Sequence, residues 1–390
     1  MPWRQGPVDD RREFMRLYAT GEYSISELCV RAGISRATGH KWINRWKADP
    51  VDGLLERSRA PQRRPTEIDA KWIEVLLRLK QEHPLYGPAK LVEMMADRDG
   101  QRPMAASTAG AILNRYGLVR HRRRRQHFVR GTGEKPVDAP GAGHTMTADH
   151  KGQYRLGDRS YCLPLTLADP VSRYILALDA LRSTSVQAAQ PHFERVFREY
   201  GVPYQILSDN GAPFCNRRAL GGLTRLSKWW IDVGSRPVRI DPGKPQQNGR
   251  HERMHRTLDE ATSQPPAKTI ELQQIRFSQY RYEFNILRPH ESLGQRPPAS
   301  AHVAYWQAFP DKIKPPEYSS VFEVRNVWRE GTIKWKGERL FLTELLNGER
   351  VGIEYVDHDQ ADIWYRHVVI GTIDLRTSKI GPAVDRNGDE

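Results

Sequence analysis

YQILSDNGAPF, residues 204–214, runs a short β-favouring apolar stretch into an acid, Asp209, and then an Asn-Gly turn. A run of this length reads as a strand, with Asp209 at its carboxyl end. Upstream, HTMTADHKG (144–152) reads as another strand, with Asp149 in its C-terminal part. YCLPLTLADP (161–170) follows across a turn at Gly157–Asp158, and SRYILALDAL (172–181) gives a third strand. SVQAAQPHFERVFREYG (185–201) is helical. Downstream come a helix through LTRLSKWWIDVG (223–234), a short strand RPVRID (236–241) and a helix over about 247–262. Glu252 lies in the first turns of that last helix, after the Pro/Gly-rich loop DPGKPQQNG (241–249). Three strands, a helix, a strand, a helix, a strand and a helix predict an α/β domain with a mixed sheet.

The rest of the chain differs from this centre. Residues 1–130 hold 26 Lys+Arg against 15 Asp+Glu, a balance of +11, while the remaining 260 hold 35 against 32, only +3. Solubility charge would not concentrate in one third of the chain, so the front end reads as a module for a polyanion. Its sequence is helical. Residues 9–20 are amphipathic. Ser24 and Glu27 predict a capping box for SISELCVRAG (24–33), Gly33 a turn, and Ser35 the cap of SRATGHKWINRWK (35–47). Trp42 and Trp46, four apart, face one core, leaving Arg36, Lys41 and Arg45 on other faces for DNA. Gly39 weakens that last helix. RSRAPQRRP (57–65) is a basic strip that either lies in a minor groove through Arg63 and Arg64 or serves as a solvated linker. A second three-helix unit follows, with Thr66 as the expected cap of its first helix, and ends in RHRRRR (120–125). Arg122, Arg123, Arg124 and Arg125 there suit a phosphate track.

GTGEKPVDAPGAG (131–143) is the clearest boundary. The expected division is 1–56 helix-turn-helix, 57–65 arm, 66–130 second helical unit, 131–143 linker, 144–265 α/β domain, 266–315 helical connector, 316–377 small β-barrel and 378–390 a disordered tail. The barrel is read from short strands punctuated by Gly331, Gly337, Gly348 and Gly352. Cys29, Cys162 and Cys215 make no CxxC pair, which speaks against a disulfide framework and fits a reducing compartment. No apolar run approaches the roughly 20 residues needed to span a bilayer, and the first residues lack the apolar core of a secretory leader, so a cytosolic protein is expected.

Asp149, Asp209 and Glu252, at two strand ends and a helix start, can converge on one sheet edge. Hard oxygen ligands of that kind suit Mg²⁺ or Mn²⁺, and a pair of such ions serves phosphodiester chemistry. Asp158, Asp169 and Asp179 are rivals by proximity. SDNGAPF (208–214), LSKWW (226–230) and DPGKPQQNGRHERMHRTL (241–258) resemble bacterial insertion-sequence transposases of the DDE (retroviral-integrase) superfamily. TADHKG (147–152) resembles that family's first catalytic strand, and YEFNILRPHESLGQRPPASAY, read across 282–305 with small gaps, its segment just after the catalytic domain. The resemblance implies an RNase H-like fold for about 140–265 and places Asp149, Asp209 and Glu252 on the three metal-binding acids. It also implies two Mg²⁺ or Mn²⁺ ions, double-stranded DNA at element ends and target, and a homo-oligomer that synapses two ends. It further implies a two-step reaction in which a metal-activated water frees a 3′-OH that then attacks a second strand. The 42 residues between Asp209 and Glu252 exceed the superfamily's common spacing, and RRALGGLTRLSKWW (217–230) reads as an inserted helix plus turn.

His251-Glu252-Arg253-Met254-His255 also spells H-E-x-x-H, a zinc-protease motif. Arg250, Arg253 and Arg256 crowd it, and Leu258 stands where the extended motif needs glycine, so the motif reads as chance and its arginines as DNA contacts. His251 and His255 then contact DNA or pack. Lys244 is expected to close over DNA, Asn248 to cap the Glu252 helix, and Asn210 and Gly211 to shape the turn at Asp209. Arg288 and His290 are candidates for DNA or a second protomer. The competing function is a DNA-binding regulator with an inactive integrase fold.

Overall fold

The computed structural model describes residues 7–56, 68–97, 99–119, 140–240 and 249–383, and divides into compact units Met1–Ile68 and Asp69–Glu390. In the first unit, helices α1 (Pro7–Thr20), α2 (Ile25–Arg31) and α3 (Arg36–Ala48) enclose Phe14, Met15, Leu28, Cys29, Trp42 and Ile43. Ser24 and Glu27 form the expected capping box, and Ser35 caps α3 through the Thr38 amide. Gly39 is there for space. A Cβ on it would overlap the Cys29 sulfur, so the residue that weakens α3 is the one that lets α2 and α3 meet.

In the second unit, α4 (Ala70–Glu82), α5 (Pro88–Met94) and α6 (Ala106–Arg115) form the second helical bundle. Asp69 caps α4 through the Lys71 amide, and Thr66, the expected cap, lies outside the described residues. The central sheet comprises β1 (Thr145–His150), β2 (Tyr154–Arg155), β3 (Tyr161–Ala168), β4 (Ile175–Leu181), β5 (Gln205–Ser208) and β6 (Arg236–Arg239). β3 runs antiparallel to β1, β2 and β4, while β1, β5 and β6 are parallel, so the sheet is mixed as predicted.

Alternation along the strands sorts side chains onto two faces. Met146, Ala148, Leu165 and Leu167 join Phe193, Phe197 and Trp230 from α7 (Val186–Tyr200) and α8 (Arg225–Asp232) in one core. A second core gathers Leu178, Met254, Leu258, Phe277 and Tyr280, and so includes α9 (Gly249–Thr262) and α10 (Ile270–Tyr282). The connector is helical only in its first part, through α10 and one π-turn (Glu283–Leu287). Short 3₁₀ turns and irregular chain complete it.

The C-terminal region departs from the expected barrel. β7 (Glu323–Asn326), β10 (Arg350–Tyr355), β11 (Gln360–Tyr365), β12 (Val368–Asp374) and β13 (Ile380–Gly381) form an open sheet in the order β13-β12-β11-β10-β7. β8 (Thr332–Trp335) and β9 (Glu338–Phe341) pair separately as a hairpin. Its Ile333 and Trp335 share a core with Ile353, Ile363 and Tyr365 of the sheet. That shared core buries the sheet's apolar face without closure.

Candidate active site and nucleic-acid surfaces

Parallel pairing of β1 with β5 sets the height of two acids. Thr147 pairs with Leu207 and Ala148 with Ser208, so the next rung brings Asp149 and Asp209 level at the carboxyl ends of adjacent strands. Asp149 shares alternation with Thr147, on the face that α9 covers. Asp209 opens an Asx turn, its Oδ1 accepting the Gly211 amide at 3.2 Å. Asn210 Nδ2 donates to the Ile240 carbonyl at 2.8 Å, tying the ends of β5 and β6 together.

The three rival acids are engaged elsewhere. Asp169 is buried and accepts the amides of Gly143, Val171 and Ser172. Asp179 pairs with Arg195 at 2.7 Å and lies 2.9 Å from His192. Asp158 is the acceptor in a turn at Ser160.

α9 is held on the sheet through the two histidines of H-E-x-x-H. His251 is buried, with Nδ1 3.0 Å from Thr147 Oγ1 and Nε2 2.5 Å from Thr166 Oγ1. His255 Nε2 lies 2.8 Å from the same Thr166 hydroxyl, and its Nδ1 is 3.9 Å from Asp149 Oδ2. Burial lowers the pKa of His255 to about 4, helped by the Lys151 charge, and drives that of His251 well below the usual value. Both are therefore neutral at pH 7. Lys151 Nζ to Asp259 Oδ1, at 2.7 Å, adds a tie between the end of β1 and α9.

Glu252 is exposed on α9, one position past the buried His251. Among the described residues, the His/Cys/Asp/Glu group whose ligand atoms all lie within 4.8 Å of one another is Asp149, His251 and His255, not the three acids. Sequence reasoning left the two histidines as DNA contacts or packing. Their i, i+4 spacing was the available signal, and Thr147 and Thr166 as their partners were not legible.

Beside α9 opens a cleft of about 680 Å³ lined by Lys90, Arg173, Arg253, Arg256, Arg288 and His290 among others. Arg288 lies over the rings of Tyr86 and Phe284, and its Nε, like His290 Nε2, is buried with no hydrogen-bond partner among the described residues. Desolvation and the Arg288 charge lower the Lys90 pKa to about 8. Burial, with Lys90, Arg288 and Arg173, lowers that of His290 to about 3. Excess positive charge of this kind is relieved by an anion.

The other expected DNA contacts are placed unequally. Arg36 and Lys41 are exposed on α3. Arg45 is not free: its guanidinium lies 4.4 Å over Trp42 and donates to the Leu55 carbonyl at 2.8 Å. Arg253 is exposed and lines the cleft. Arg63, Arg64, Arg122, Arg123, Arg124, Arg125, Lys244 and Asn248, with the side chain of Arg250, lie outside the described residues. None of the described helices is long and apolar enough to cross a membrane.

Comparison with known families matches four segments. Residues 10–62 match a helix-turn-helix domain and 38–113 a homeodomain-like domain. Residues 233–298 match the integrase core domain, and 322–381 the IS481 family transposase C-terminal domain. Among solved structures, the chain is similar to the HTLV-2 integrase catalytic core domain described in complex with magnesium, at 12% identity over 42% of this chain and 99% of that one, TM-score 0.33. It is also similar to a simian T-cell lymphotropic virus intasome described in complex with a PP2A regulatory subunit, at 13% identity over 80% and 99%, TM-score 0.37. The BIV integrase catalytic core matches at 17% identity over 40% and 92%, TM-score 0.31. With an integrase core between helix-turn-helix domains and a transposase C-terminal domain, the chain belongs to the insertion-sequence transposases of the DDE/integrase superfamily.

Proposed function

We propose that this chain cuts and rejoins DNA at the ends of its own insertion element, with Asp149, Asp209 and Glu252 as the metal-binding acids of an RNase H-like domain spanning about 144–265. The observation that supports the reading is the parallel pairing of β1 with β5, whose last paired rung, Ala148 opposite Ser208, comes one residue before each acid. Oxygen donors presented in this way fit Mg²⁺ or Mn²⁺. Two such ions would supply activation of the attacking oxygen and charge stabilisation at the leaving one. Glu252, presented by a helix clamped to β1 and β3, completes the acid set when DNA and metal are bound.

The chain's own residues do the rest. His251, Thr147 and Thr166 keep α9 seated on the sheet. Lys90, Arg253, Arg256 and Arg288 hold strand phosphates along the cleft, and the N-terminal helical units, through Arg36 and Lys41 and the basic segments around 57–65 and 120–125, anchor the element end. A homo-oligomer brings two ends together.

The test is incubation of the full chain with labelled duplexes carrying the element end, in Mg²⁺ or Mn²⁺. Release of a 3′-OH and joining to a second duplex are expected. Tight binding without nicking or joining would make the chain a DNA-binding regulator and sink the proposal.

A further inference from the structure

The β8–β9 hairpin has two faces, and only one of them is used in packing. Ile333 and Trp335 are buried in the core shared with the C-terminal sheet. Alternation turns Thr332 and Lys334 outward, and the register sets Phe341 opposite Thr332 and Arg339 opposite Lys334. On the other flank of β8, Trp328 bridges to Thr332, its amide donating to the Thr332 carbonyl at 2.8 Å. Trp328, Thr332 and Phe341 therefore form one row across three strands, and Lys334 and Arg339 form the next. Trp328 is 64% exposed and Phe341 61%, and both cations are exposed as well. Glu338, opposite Trp335, belongs to the other face.

Neither row stabilises the free protein. Like charges directly opposite each other across a ladder repel, and neither Lys334 nor Arg339 has an ion pair with a described residue. Two large rings kept in water on one strand row forgo the burial that a partner would give them. The cations call for an anionic partner, and the rings for one with flat apolar faces. An unpaired DNA strand has both, phosphates for the cations and base faces for the rings. In a duplex the base faces are already stacked on one another, and a groove is read by polar side chains on base edges instead. Neighbouring strands lie about 4.8 Å apart, so the two rings stand roughly 10 Å from each other, with the cation row about 7 Å further along the strands. That leaves room for two bases of one strand, one on each ring. We infer that the outer face of the β8–β9 hairpin, together with Trp328, is a binding platform for an unpaired DNA strand. Trp328 and Phe341 each stack a base, and Lys334 and Arg339 take the phosphates. Under the proposed function such a strand arises once the element end is nicked, so the use of the platform, though not its binding, rests on that reading.

The experiment uses the full chain and an oligothymidylate of about 15 nucleotides carrying one 5-iododeoxyuridine, its photo-cross-links mapped by mass spectrometry. Fluorescence anisotropy with the same strand and with a duplex of equal length runs beside it. Cross-links are expected at Trp328 or Phe341. Trp328→Ala and Phe341→Ala should each weaken binding of the single strand by roughly fivefold or more, with duplex affinity changed less than about twofold. Trp328→Phe keeps a ring and should recover most of the loss. Lys334→Ala with Arg339→Ala should lower the log–log salt slope on the single strand by about 1.4. Cross-links confined to other regions of the wild type overturn the inference without recourse to a variant. Equal losses on single strand and duplex also overturn it, in favour of a hairpin that enters a duplex groove. A changed sedimentation coefficient in the ring variants, with strand binding unaltered, overturns it in favour of a second copy of the chain on this face. Strand joining separates the two readings. Joining with cross-links elsewhere removes only the platform, whereas cross-links at the rings without nicking or joining keep the platform and sink the cutting reading.

Discussion

Asp209→Asn and Glu252→Gln each remove a carboxylate that the proposed function assigns to metal binding, while keeping side-chain volume. Each is expected to lower strand joining by roughly 10³-fold or more, with DNA affinity within about threefold of wild type. Gel-shift and joining assays on the same preparations check this, and loss of binding alongside joining would contradict the assigned roles. Lys90 offers a pH prediction. Its ammonium is wanted by phosphate, yet burial and Arg288 bring its pKa down to about 8. Below pH 8 it enters the complex already charged, and above pH 8 it must first take up a proton, so affinity for DNA should fall as pH rises from 7 to 9. Lys90→Ala, weaker throughout, should be flatter across that range. A wild-type profile no steeper than that of the variant, read by fluorescence anisotropy at constant salt, would remove Lys90 from the DNA surface.

α8 is the element in which the unusual Asp209–Glu252 spacing acquires a purpose. Leu226 and Trp230 enter the core beneath the central sheet, while Ile231, with Leu223 just before the helix, enters the core of the C-terminal sheet. The 3₁₀ turn Leu220–Gly222 and this helix match the helix plus turn read from residues 217–230. Around Asp232 a charged network reinforces the join. Lys228 lies 2.8 Å from both Asp232 and Glu349, Arg366 lies 2.9 Å from Asp232, and the Tyr365 hydroxyl donates to Asp232 at 2.5 Å. Asp232→Ala strips two nearly buried cations of their shared partner, and should destabilise the chain by about 3 kcal/mol. Urea unfolding, with hydrogen exchange of β10–β12, measures it. A loss below about 1 kcal/mol would mean that the apolar contacts alone hold helix and sheet together.

For the whole molecule, charge is the property with the longest reach. A chain of net +14, with +11 in its first 130 residues, should bind duplex DNA with a steep salt dependence, because each phosphate contact releases counterions. Between about 50 and 200 mM salt the affinity is expected to fall by roughly 10³-fold or more for six or more such contacts. Arg36→Ala with Lys41→Ala should lower the log–log slope by about 2, and an unchanged slope would show that α3 does not carry phosphate contacts.

Much of the molecule was legible in residue order alone. Caps, turn residues and the periods of 2 and 3.6 act locally, so Ser24, Ser35, the strands flanking Asp149 and Asp209, and the helix bearing Glu252 could all be read without a fold. What followed from contacts between distant segments could not. Gly39 read as a weakness until Cys29 was found against it, Arg45 as a DNA contact until it folded back over Trp42, and the C-terminal strands as a barrel until a hairpin covered their apolar face. The H-E-x-x-H histidines were seen to share a helix face. Only the pairing of β1 with β3 brought Thr147, Thr166 and Asp149 under them, because a strand register joins residues that no local pattern connects.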